Sequence, residues 1–68
     1  MRNTDTKQLQ DICNEIKTAR RLRNDAALVN NFRLRDIYKE RLDDKYELLK
    51  SFMQQHELAT ADVRPLLV

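Results

Sequence analysis

Apolar residues recur along this chain at helical spacing in two separate runs. The first run is Leu9, Ile12, Ile16 and Ala19, with Cys13 beside it. At about 100° per residue these side chains form one stripe of a helix. Asp5 followed by Gln8 fits a capping box, in which the carboxylate accepts from an unpaired helix N–H and the amide reaches back. The stripe fails beyond Leu22, because Arg23 falls on the line that Ile12, Ile16 and Ala19 define. The pattern predicts a first helix over about residues 5–23, with Asn24-Asp25 as the turn.

The second run is Leu34, Ile37, Tyr38, Leu42, Leu49, Phe52 and Met53, which predicts an amphipathic helix reaching about residue 57. At ~1.5 Å per residue it is expected to be the longer of the two, with an overhang that its partner cannot cover. Leu28, Val29 and Phe32 point away from this stripe if the helix is continuous. Either the chain breaks near Asn30-Asn31, both good cap residues, or one helix carries two apolar faces and offers the second to another chain. A heptad through Tyr38, Leu42, Lys45, Leu49, Phe52 and His56 puts a lysine at a seam position. A polar residue there can set register or oligomeric state, but a lysine more simply snorkels to the rim.

The tail over residues 58–68 is expected to hold one more short turn capped by Thr60 and stopped by Pro65. Its apolar end, Leu66-Leu67-Val68, is expected to fold back over the helix pair. The competing expectation is a C-terminal peptide captured by a partner.

With no glycine and one proline, the chain lacks the residues that punctuate β-hairpins. The predicted class is all-α, a single domain over 1–68 built as an antiparallel helical hairpin with a longer second helix. A chain of 68 residues buries a small core, and such chains gain stability from disulfides, metals or association. The single Cys13 excludes an intrachain disulfide, and Cys13 with His56 falls short of a structural zinc site. Self-association remains, and the two stripes are expected to pair into a homodimer with a four-helix arrangement. No apolar run is long enough to cross a bilayer, and Met1 to Asp5 lacks a signal peptide's apolar stretch. A cytoplasmic location is expected, which suits a reduced thiol.

The formal net charge of +2 hides a gradient. Residues 18–41 hold seven basic and three acidic side chains, a net +4, while residues 42–62 hold two and five, a net −3. Arg20, Arg21, Arg23, Arg33 and Arg35 concentrate around the predicted turn. Cations at the end of a helix complement its dipole without any ligand. Gathered at a hairpin tip, they also form a positive patch suited to carboxylates or phosphates. Asp25 and Asp36 lie inside that patch and no aromatic residues are interleaved for base stacking, which favours a protein surface over nucleic acid.

No residue set recommends itself for catalysis. Cys13 sits at the edge of a stripe without a nearby histidine, as a small buried hydrophobe does. Glu40, Asp43, Asp44 and Glu47 share a helical face, but a straight helix spreads them on a convex surface instead of wrapping them around a cation. The tract KERLDD followed by KYELL resembles the SQELD-bearing helix of the small sporulation aspartyl-phosphatase hairpins. The serine and glutamine of that motif are absent, so no function is carried over.

The expectation is a non-enzymatic regulator without metal or cofactor, acting on another protein as an inhibitor, antiactivator or chaperone. Its partner would present an acidic or apolar surface, contacted by the five arginines or by Leu28, Val29 and Phe32. The alternative is a nucleic-acid-binding regulator using the arginine-rich tip.

Overall fold

A chain so poor in helix breakers stops its helices only where caps and packing agree. A computed structural model describes residues 2–68; Met1, part of the single domain expected over 1–68, lies outside the described residues. The fold is all-helical, with α1 over Asn3–Leu28, α2 over Phe32–Gln55 and α3 over Thr60–Leu67, and no strand among the described residues.

Helix α1 departs from expectation at both ends. It begins at Asn3 behind Arg2, without a side-chain cap, so the Asp5–Gln8 capping box does not form. Asp5 instead occupies the first turn, where its charge favours the positive end of the dipole. At the other end α1 runs straight through Asn24-Asp25, the expected turn, to Leu28. Ala26 explains the extension: it is buried one heptad beyond Ala19, so the stripe resumes after Arg23. The Ala26-Ala27-Leu28 run also has the highest helix propensity available.

The chain reverses at Val29, Asn30 and Asn31. Asn30 takes φ 58°, and the Asn31 and Asn30 N–H groups donate to the carbonyls of Ala26 and Ala27 at 2.9 and 3.1 Å. This is the Schellman pattern, with asparagine standing where glycine is usual. Asn31 then caps α2, its side-chain oxygen accepting from the Leu34 N–H at 3.2 Å. The end of α2 repeats the device: Glu57 has φ 53°, and Leu58 and Glu57 donate to Met53 and Gln54 at 2.9 and 3.4 Å.

Helix α2 is not the longer element. It has 24 residues against 26 in α1, so the expected overhang is absent. The two stripes bury each other within one chain. Leu9, Ile12, Cys13, Ile16 and Ala19 meet Leu42, Leu49 and Phe52 of α2 and Val63 of α3, with Met53, Leu58, Leu66 and Leu67 packed on the cluster. Ile16, at 0% exposure, is its centre. Leu34 and Tyr38 are half-buried, and Ile37 stays out of the core because it lies about 100° around α2 from the buried seam.

The tail also forms more helix than predicted. Pro65 lies inside α3, which continues to Leu67 behind an Asp62 carboxylate that accepts from the Ala59 N–H at 2.8 Å. Val63 carries α3 onto α1, and the Arg20 guanidinium donates to the Leu67 carbonyl at 2.8 Å, closing the last turn. Lys45 reaches across from α2 to Glu15 at 2.8 Å. Both groups are well solvated, so the pair directs alignment more than it stabilises.

Two predictions follow from the packing. A left-handed residue with a Cβ costs about 1–2 kcal/mol, and glycine's added freedom when unfolded returns about half of that. Glu57→Gly should therefore raise stability by roughly 0.5–1 kcal/mol, read as a higher thermal midpoint. A lower midpoint would show that Glu57 makes a contact worth more than its strain.

Burial pushes the Cys13 thiol above its ordinary value of 9.0, against a smaller lowering by the Lys17 charge. Because the folded value is the higher one, the core favours the protonated thiol, and that stability is lost as pH rises beyond 9.0. Cys13 should react with a thiol reagent far more slowly in the native chain than in denaturant at pH 8. Equal rates in the two states would contradict its burial.

Candidate interaction surface

The turn that joins α1 to α2 projects three apolar side chains into solvent, while Val68, at 87% exposure, is the other strongly exposed one, at the end of the chain. Leu28 is 81% exposed, Val29 74% and Phe32 51%, on a backbone fixed by the Schellman bonds and the Asn31 cap. Leu28 closes α1 and Phe32 opens α2, so both flanks of the turn contribute to one apolar end. The Arg35 guanidinium lies 4.7 Å from the Phe32 ring centroid, a cation–π contact, and its Nη2 also pairs with Asp36 at 3.1 Å.

The five arginines do not act as one cluster. Arg20 is committed to the Leu67 carbonyl at the end of α3. Arg23 donates to the Asn24 side chain at 3.2 Å and Arg35 to Asp36. Arg21 and Arg33 are exposed and make no side-chain hydrogen bond or ion pair among the described residues. Both sit within about two turns of the loop, and with Arg23, whose acceptor is a neutral amide, they make this end cationic. Arg20's role was invisible from its neighbours, since its acceptor lies 47 residues away.

Elsewhere the surface divides by charge. Glu40, Asp43, Asp44 and Glu47 are all exposed along α2. An apolar groove of about 440 Å³ between α2 and α3 is lined by Tyr46, Leu49, Met53, Val63 and Leu67, with Lys50 and Glu57 at its rim. His56, at the end of α2, packs its ring 4.2 Å from that of Phe52. Leu48, 46% exposed, was overlooked in the sequence because it sits beside the seam residue Leu49.

No protein family, characterised protein or solved structure matches this chain. Among the described residues no helix is long and apolar enough to cross a membrane.

The turn separates side chains that hold the fold from those that do not. Asn31→Ala removes the α2 cap and should cost about 0.5–2 kcal/mol. Leu28→Ser and Phe32→Ser replace exposed side chains and should stay within about 0.5 kcal/mol of wild type. Denaturant midpoints distinguish the two classes; a large loss from Leu28→Ser would mean that Leu28 packs within the chain.

Proposed function

We propose that this chain is a small non-enzymatic regulatory protein that works by occupying a surface of another protein, as an inhibitor, antiactivator or chaperone-type binder. In this reading α1 and α2 act as an antiparallel helical hairpin whose tip is the binding end. The observation that carries it is the exposure of Leu28, Val29 and Phe32 together on an ordered turn. Exposed apolar clusters rimmed by polar groups mark interaction sites, since water alone gives no reason to keep them. Arg21 and Arg33 beside them favour a partner that is acidic around an apolar centre.

Nucleic acid is the competing partner. It is less well supported because Asp25 and Asp36 lie among the same arginines and Arg35 is paired with Asp36, which lowers the net positive charge offered to phosphates. We also propose that the chain forms a homodimer in which four long helices come together. Its basis is no longer an overhang of α2 but the apolar residues that α2 leaves in solvent.

Partner recovery on immobilised protein tests the reading. Wild type should retain a stoichiometric protein after nuclease treatment, and Leu28→Asp with Phe32→Asp should abolish its recovery while helical circular dichroism is unchanged. Reversal of Arg21 and Arg33 to glutamate should weaken the same complex. Recovery that depends on intact nucleic acid, with an affinity falling steeply as salt rises, would install the alternative.

A further inference from the structure

Helix α2 carries a second seam beside the buried one. Stepping back one residue from Tyr38, Leu42, Lys45 and Leu49 gives Ile37, Arg41, Asp44 and Leu48, with the same heptad spacing. At about 100° per residue these four lie within an arc of about 60°, displaced by about 100° from the core-facing side. All are exposed, and Ile37 and Leu48 remain 42% and 46% accessible. Neither Arg41 nor Asp44 belongs to an ion pair among the described residues. The closest engagement of Arg41 is its guanidinium 5.8 Å from the Tyr38 ring.

The order of these residues is apolar, basic, acidic, apolar. Read from the other end it is apolar, acidic, basic, apolar, so the strip is complementary to itself run in reverse. An identical helix laid antiparallel, with a two-fold axis between positions 42 and 43, sets Ile37 opposite Leu48 and Arg41 opposite Asp44. Each pairing occurs twice, as an isologous interface requires. A parallel arrangement would instead set Arg41 against Arg41 and Asp44 against Asp44.

We propose that a second copy of this chain docks on this face, α2 against α2, antiparallel about that axis. This deepens the dimer reading given above and rests on it. Ile37 and Leu48 supply the apolar contact, and the Arg41–Asp44 pairs fix direction and register. Glu40 and Glu47 flank the strip at the solvent rim, where their repulsion across the axis is screened by salt. Groove walls formed by Thr18 and Leu22 of α1 adjoin Arg41 on the same side, so the second copy extends the α1–α2 layer into four long helices. Helix α3 does not obstruct it, because the groove that α3 shares with α2 runs along Tyr46, Lys50 and Met53, on the other side of α2.

Charge exchange tests both the interface and its direction. Arg41→Asp gives a chain with two carboxylates on the strip, and Asp44→Arg gives one with two guanidiniums. Each variant alone should sediment as a monomer with unchanged helical circular dichroism, at a concentration where wild type is a dimer. Mixed in equal amounts they should form a heterodimer, because every Arg–Asp pair across the axis is then restored. The doubly exchanged chain, Arg41→Asp with Asp44→Arg, should dimerise with itself. A wild type that is monomeric would remove the dimer reading and this interface together. A wild-type dimer that survives in both single variants would remove this interface and leave the dimer. Single variants that stay monomeric when mixed would rule out the antiparallel pairing.

Discussion

Ile16 is the point on which this small fold turns. Among the described residues it is the one apolar side chain larger than cysteine that loses essentially all contact with water, and it does so because α1 receives both α2 and α3 around it. Truncating a buried isoleucine to alanine costs about 2–5 kcal/mol. A chain of this size commands about 3–10 kcal/mol in all, at the usual stability per residue. The core therefore has little redundancy, and each peripheral device matters: the two Schellman turns, the Asn31 cap and the Arg20 bond to Leu67. Each of these satisfies backbone groups at the end of a helix that packs on this core.

The internal pairing of the stripes decides what the outside of the molecule is for. Leu9, Ile12 and Ile16 satisfy Leu42, Leu49 and Phe52 within one chain, so the core asks for no second copy to cover it. What remains in solvent is a different set of apolar residues, at the turn, along the flank of α2 and at Val68. In the proposed dimer these two sets have separate tasks. The flank joins two copies, and the antiparallel arrangement sends the two tips to opposite ends, about 37 Å apart at the usual helical rise. Such a particle can engage two partner molecules at once, with an avidity that a single tip lacks.

Much of the fold was legible in the apolar period. Leu9, Ile12, Ile16, Leu42, Leu49 and Phe52 stand in the core at the spacing that named them. The turn was harder to read because Arg23 interrupts the stripe and Asn24-Asp25 imitates a stop. The resumption at Ala26 depends on a small side chain that carries almost no hydrophobic signal. Helix α3 was read short because Pro65 is a breaker by itself; the bond from Arg20, 47 residues away, and the burial of Val63 against α1 are what hold the segment. Of the candidate surface, the break at Asn30-Asn31 was one of the two readings that the sequence left open, and it is this turn that holds Leu28, Val29 and Phe32 in solvent. The dispersal of the arginines did not, because a charged side chain's partner is set by tertiary packing and leaves no local periodicity.

One chain makes its own core, and in the proposed reading its other apolar residues are kept for partners. Far-ultraviolet circular dichroism on serial dilution, to concentrations well below any dimer dissociation constant found by sedimentation, tests this most directly. Persistent helical signal and a cooperative melt in the monomer are the predicted result. Loss of helix in step with dissociation would contradict it, and would place the core between chains instead of within one.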